Sequence, residues 1–270
     1  MLHLQLRSPS QFPIDLDGIC PDQMVSLSAT ACGSLPIRHA NREVKLGDLF
    51  DISGDAADGH LTVESDCHNV KNLGNGMAGG TLTIRGHAGW HCGANMRAGR
   101  IEIDGNSGSW LGAEMRGGTI HVHGDAGDCI GAAYRGSPKG MRGGVILIDG
   151  SAGQEAGAHM RRGLIAVAGA LGPMAGHAMI AGSIIAFGSV GPRCGAGMKR
   201  GSLILYQPPT ELPPTFKQAC DYQPPFLPVY LRKLAEWGMP VKPSGSHGLF
   251  RRYCGDLLAL GKGEILVALP

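Results

Sequence analysis

Glutamate is scarce, aromatic residues are few, and no two cysteines stand close together. Each shortage excludes something. Phe, Trp and Tyr make up 5% of the 270 residues. A sugar-processing groove would need exposed aromatics and acidic clusters along one face, and only Trp90 and Trp110 are candidates. The eight cysteines include no C-x-x-C, so the chain has no local ligand pair of the zinc-ribbon or iron–sulfur kind. No apolar run nears the roughly 18 residues that mark a membrane span. The start, MLHLQLRSPSQFPIDL, lacks a charged segment followed by an apolar one, so no signal peptide and a cytoplasmic location are expected. The unpaired thiols fit such a reducing compartment. A formal net charge of +2 gives no pull toward nucleic acid or membrane. Eight glutamates against sixteen arginines and eight lysines run opposite to the hyperthermophile bias toward Lys and Glu, so a mesophilic source is expected.

What the chain has is glycine, 44 of them, in register. Methionine returns at Met77, Met96, Met115, Met141, Met160, Met179 and Met198, at intervals of 19 residues with one of 26. The long interval holds an insertion, Tyr134 to Gly140. Four glycine columns move with the methionines, and a regular repeat reads G-x2-G-x3-G-x5-G, as from Gly86 to Gly99. A fixed period near 20 residues marks a solenoid. After each fourth glycine two apolar columns alternate with outward residues: Leu82, Ile101, Ile120, Ile146, Ile165, Ile184, Leu203, then Ile84, Ile103, Val122, Ile148, Val167, Ala186, Leu205. That is one face of a strand. Glycine every three to six residues, at about 1 kcal/mol each, rules out helix. The fold expected is all-β: a parallel β-helix of about seven rungs, right-handed because parallel crossovers almost always are. Its core holds the methionines, both aliphatic columns, the cysteines Cys92 and Cys194, and a mostly small column from Ala88 to Val190.

Three regions follow. Residues 1–59 lack the repeat and are expected to form an irregular cap, with a strand at Leu2, Leu4 and Leu6. Residues 60–206 form the β-helix. Residues 207–270 form a tail packed on the β-helix or on a partner chain. Its start, with Pro208-Pro209 and Pro213-Pro214, predicts an extended surface linker. Leu227 to Trp237 reads as a short helix stopped by Gly238, and Gly261 to Val267 as a last strand.

Motifs that carry chemistry are few. Gly74-Asn-Gly-Met-Ala-Gly79 matches G-x-G-x-x-G, but a strand follows it where a dinucleotide loop needs a helix. No Ser-His-Asp or Cys-His arrangement emerges, so no catalytic residue is named. The outward column Arg85, Asp104, His123, Asp149 places Asp104, His123 and Asp149 within reach of one metal, or else forms a charge ladder of alternating sign. Beside the buried methionines stand Arg97, Arg116, Arg142 and Arg161, a like-charge ladder suited to an anionic partner. The mid-strand outward column turns from polar (Thr83, Glu102, His121) to apolar (Leu147, Ala166, Ile185, Ile204), and its neighbour does so at Ala168, Phe187 and Tyr206. Leu147, Ile185, Phe187 and Ile204 therefore need a cover, supplied by the tail or by a neighbouring chain.

The rungs resemble the C-terminal β-helix domain of the large subunit of glutamate synthase. Together with Val44-Lys-Leu-Gly-Asp-Leu-Phe-Asp-Ile-Ser-Gly54, Phe250-Arg-Arg-Tyr-Cys-Gly-Asp256 and Gly261-Lys-Gly-Glu264 they are more closely similar to the C subunit of formylmethanofuran dehydrogenase. They are also similar to its relative in the formyltransferase/hydrolase complex of methylotrophic bacteria. The resemblance implies a non-catalytic structural subunit, with no cofactor of its own. The metal ions and the methanofuran-type carrier would lie in other subunits: amidohydrolase-like, dehydrogenase-B-like and formyltransferase chains. The Arg-rich, Glu-poor composition favours the formyltransferase/hydrolase complex, which moves formyl groups between tetrahydromethanopterin and a methanofuran analogue and releases formate. The alternatives are the redox dehydrogenase and a glutamate-synthase-like domain. Nothing implies a nucleic-acid or membrane partner.

Overall fold

The computed structural model describes residues 1–240 and 248–270. In chain order the first region holds β1 (Leu2–Leu6), β2 (Ile14–Asp15), α1 (Pro21–Met24), α2 (Ala29–Gly33), β3 (Pro36–His39), β4 (Arg42–Lys45), α3 (Leu46–Leu49) and β5 (Phe50–Gly54). The repeats supply β6 (His60–Val63), β7 (Val70–Lys71), β8 (Thr81–Ile84), β9 (Arg100–Ile103), β10 (Thr119–Val122), β11 (Arg142–Ile148), β12 (Arg162–Val167), β13 (Ser183–Ala186) and β14 (Arg200–Leu205). The tail adds β15 (Lys217–Tyr222), α4 (Leu227–Glu236), β16 (Phe250–Gly255) and β17 (Lys262–Ala268).

Among the described residues these strands make a 13-stranded sheet in the order β15-β16-β17-β14-β13-β12-β11-β10-β9-β8-β6-β1-β5. From β1 to β17 every pairing in that run is parallel, and residues one repeat apart are direct partners, as in Ile101 with Ile120 and Ile120 with Ile146. A second parallel ladder joins Cys67, Ala88, Ser107, Ala126, Ala152, Leu171, Val190 and Pro209. The fold is a parallel β-helix. The seven methionines of the repeat column, Met77 to Met198, are 0% exposed, and no member of either aliphatic column exceeds 1%.

Glycine serves two purposes at the corners. Gly118 adopts φ +88°, a left-handed conformation that a β-carbon disfavours. Gly150 has ordinary φ, but a β-carbon there would lie 2.7 Å from the Gly124 carbonyl oxygen of the preceding rung. Side chains knit further corners: Asn106 Oδ1 accepts from Asp125 N at 2.9 Å, and Asp125 Oδ1 from Ser151 N at 2.7 Å.

The flanks carry the elements expected of them, β1 at Leu2 to Leu6, α4 from Leu227 and β17 in the last strand, and they are more ordered than expected. The cap is ordered, not irregular: β1 extends the main sheet by pairing parallel with β6, and β5 closes that edge antiparallel. The segments β4-β3-β2-β7 form a second, four-stranded sheet against the first rung. The reason lies in Leu2, Leu4, Ile14 and Leu16, which fill the end of the core at 1% exposure or less. At the other end the sheet runs on past residue 206. The proline-rich stretch keeps one rung contact, Pro209 with Val190, and β17 stacks parallel on β14, with Ile204 opposite Leu266. Strands β16 and β15 then close that edge antiparallel.

The tail covers the outward apolar face. Leu147, Ala166, Ile185 and Ile204 are all 0% exposed and pack with Leu227, Leu231 and Leu234 of α4 and with Met239, Phe250 and Leu266. Of the four apolar interface candidates, Leu147, Ile185 and Ile204 are therefore unavailable to a partner: of the two covers expected, the chain's own tail supplies theirs. Phe187 stays partly buried at the margin, stacked on Tyr206 with centroids 4.7 Å apart.

The cysteines follow the register. Cys67, Cys92 and Cys194 are buried and unpaired, and burial pushes their thiols up to about 12, 12 and 11. Alkylation of native protein at pH 8 should label the exposed Cys220 first and leave these three unmodified until the chain is unfolded. Mass mapping that found native Cys92 modified would overturn the assigned register.

Candidate functional site

Three surfaces carry the polar chemistry. The first is the edge beside the methionine column. The amides of Arg97, Arg116, Arg142 and Arg161 donate to the carbonyls of Met77, Met96, Met115 and Met141 at 2.7 to 2.8 Å, so the four share one position on successive rungs. Arg142 differs from the rest. It is half-buried and lies 3.5 Å from Glu114, at the insertion rung. Arg97, Arg116 and Arg161 are exposed and make no ion pair among the described residues. Arg162, Lys199 and Arg200 extend the same basic edge, also exposed.

The second surface is a cleft of about 590 Å³ under the insertion, between Trp110, Tyr134, Arg135, Glu155, His159 and His177. Tyr134 stacks on Trp110 with centroids 5.1 Å apart, and its hydroxyl lies 2.9 Å from His91 Nδ1. Burial pushes the Tyr134 phenol up to about 12 and holds the His91 and His159 imidazoles below their usual range. Cys129, on the wall, is pushed up to about 11 by burial and by Glu155, whose Oε2 lies 3.8 Å from Sγ. A thiol so raised is a poor nucleophile at neutral pH.

The third is a polar cluster where the outward column turns apolar. His121, on β10, and His123, just past its end, project to the same side with ring centroids 4.2 Å apart. Asp149, following β11, accepts from His121 Nε2 at 3.0 Å and from His123 Nδ1 at 2.8 Å. Glu102, beside His121 on β9, puts Oε2 3.7 Å from His121 Nδ1 and 3.5 Å from His123 Nε2, while its Oε1 is ion-paired with Arg100. His121 is 2% exposed, Asp149 16%, Glu102 17% and His123 43%, so the cluster opens to solvent on the His123 side. Gly238, just past the end of α4 with φ +88°, sits where an added β-carbon would meet His121 Cε1 at 3.8 Å. Of the sequence-derived trio, His123 and Asp149 meet and Asp104 does not. It stands exposed and makes no ion pair among the described residues. The members that sequence reasoning missed are Glu102 and His121, and the signal was present: two histidines at i and i+2 on a strand share a face.

A capped parallel β-helix with a self-covered flank, an arginine edge and no helix among the described residues long and apolar enough to cross a membrane defines an architectural class. No protein-family model matches the chain. A solved structure of the formyltransferase/hydrolase complex (FhcABCD) from Methylorubrum extorquens, in complex with methylofuran, contains a chain 35% identical to this one. The alignment covers 99% of this chain and 100% of that one, at a TM-score of 0.91. The C subunit of the tungsten-containing formylmethanofuran dehydrogenase 2 from Methanothermobacter wolfeii is 37% identical over 92 residues. The C subunit of the molybdenum-containing formylmethanofuran dehydrogenase 1 from Methanothermobacter thermautotrophicus is 37% identical over 88. These matches span 34% and 22% of the curated relatives' own length, and 33% and 32% of this chain. The chain belongs to the family that unites the C subunit of formylmethanofuran dehydrogenase with a chain of the formyltransferase/hydrolase complex.

Proposed function

We propose that this chain is the structural subunit of a formyltransferase/hydrolase complex, a cytoplasmic assembly that moves formyl groups between tetrahydromethanopterin and a methanofuran analogue and releases formate. The observation that carries the reading is the end-to-end likeness to a chain of FhcABCD, at 35% identity with both flanks included. Local identity to the tungsten enzyme's corresponding chain is slightly higher, but it covers 34% of that protein, which ranks the redox dehydrogenase second. On this basis the reacting groups, metal ions and carrier belong to amidohydrolase-like, dehydrogenase-B-like and formyltransferase subunits, and this chain holds them in place. Leu257, Leu258 and Leu260, 54%, 85% and 48% exposed, give it an apolar knob of the kind interface cores use. Co-expression with those three chains should yield one species of the summed mass that releases formate. A chain that stays apart from all three would overturn the proposal.

The arginine edge supplies a second test. Guanidinium groups repeated about every 4.8 Å suit a row of carboxylates on a neighbouring subunit. The triple substitution Arg97→Glu, Arg116→Glu and Arg161→Glu should weaken assembly at least tenfold at low ionic strength, and rising salt should narrow the gap. Intact assembly with weaker binding of the carrier would move the edge's role to the carrier's own carboxylates. No change in either would leave the edge a solvated face.

A further inference from the structure

We infer that Glu102, His121 and His123 form a binding site for one divalent transition-metal ion of the zinc class, with Asp149 as the residue that orients both histidines. The placement of protons comes first. One carboxylate, Asp149, accepts from Nε2 of His121 and from Nδ1 of His123, at 3.0 and 2.8 Å. Each imidazole thus has its N–H fixed on the Asp149 side, and its lone pair falls on the opposite nitrogen, Nδ1 of His121 and Nε2 of His123. Those two atoms face the same atom, Glu102 Oε2.

The spacing separates a metal from a salt-bridge network. Glu102 Oε2 lies 3.7 and 3.5 Å from the two nitrogens, beyond the 2.7 to 2.9 Å of a charge-assisted hydrogen bond. Two ligands each about 2.1 Å from a tetrahedral zinc ion stand about 3.4 Å apart. The three ligand atoms all lie within 4.8 Å of one another, so one ion can reach them together. The other Glu102 oxygen is ion-paired with Arg100, and Oε2 is the oxygen on the side of the rings. A carboxylate behind a ligating histidine is the usual way a tautomer is set and ligand basicity raised. Here one carboxylate does so for two histidines. Two carboxylates in a mostly buried cluster carry negative charge that Arg100 only half balances, and a dication offsets the remainder. With three protein ligands and solvent access at His123, the fourth position is open to water.

The test uses the full chain, stripped with chelator and titrated with Zn²⁺ or Co²⁺. Wild type should take up one equivalent per chain, and Co²⁺ should show the intense visible bands of a low-coordinate site with nitrogen ligands. His123→Ala and Glu102→Gln each remove a ligand on the more open side and should weaken binding at least tenfold. Asp149→Asn keeps all three ligands and should weaken it about 10- to 100-fold. Circular dichroism of the metal-free variants, matching wild type, shows that the loss lies at the site. Absence of uptake by wild type, equal uptake by wild type and His123→Ala, or half an equivalent with two chains sharing each ion would overturn the assignment.

Discussion

Ile185→Asp should strip the C-terminal tail from the β-helix and leave most of the chain insoluble. Ile185 sits in the middle of the covered column, paired with Ala166 on one side and Ile204 on the other, at 0% exposure. The cluster around it is aliphatic and aromatic, with Leu227, Leu231 and Phe250 from the tail. An ionised carboxylate there has no partner, and the effective cost of burying one is several kcal/mol. A domain's whole stability is about 5–15 kcal/mol, and only part of that resists opening of one flank. The tail is therefore expected to detach, exposing Leu147, Ile204 and the apolar face of α4 together. Ile185→Val, about 0.5–1.5 kcal/mol, should leave a folded protein. Limited proteolysis between residues 207 and 240, with solubility and native size, reads the outcome. An Ile185→Asp chain as soluble and as protease-resistant as wild type would mean that the tail does not cover this face in solution.

The second large effect is at a rung corner. Gly118→Ala places a methyl group in a left-handed conformation, at about 1–2 kcal/mol, and 2.7 Å from Met96 Cε and 2.9 Å from the Gly99 carbonyl oxygen. The backbone neighbour is fixed in the ladder and cannot yield. Gly136, in the insertion, has almost the same φ, +87° against +88°, and nothing within 4 Å of its added methyl. Its alanine variant should lose only the backbone contribution. Thermal or denaturant unfolding of the pair should separate them by about 2 kcal/mol or more, the usual scale of overpacking in a close-packed core. Equal destabilisation would show that corner glycines act through φ alone.

Glycine also shows where sequence reading stops. The register of every rung is legible, because a mismatch of one residue would drive the methionine and aliphatic columns out of the core. The left-handed corners are only half legible. His91, Trp110, Cys129, Glu155, Met174 and Arg193 all occupy one such corner, with φ between 58° and 66°. No common chemistry marks them, since the rung above and the rung below hold the backbone there whatever the side chain. The apolar outward column announces a need for cover, and its composition does not distinguish tail from partner. The cap's order is hidden because β1 finds its place by pairing with β6, some 60 residues away, and no local periodicity records that. For the polar cluster, the column rule assigns His121 and His123 to separate ladders. Both side chains read as outward, but following the His123 column alone selects Asp104 and passes over Glu102, which lies in the His121 column.

The position of the tail bears on synthesis at the ribosome. The face formed by Leu147, Ala166, Ile185 and Ile204 is complete once residue 205 has emerged, yet Leu227 to Leu234, Phe250 and Leu266 follow it in the chain. At about 5–20 residues per second, the last of that cover arrives several seconds later. Rungs that need only their neighbours are free to stack during that interval. The nascent chain therefore carries stacked rungs whose apolar flank and last strand both stay bare until the tail arrives, so that flank is the surface most exposed to misassociation during synthesis.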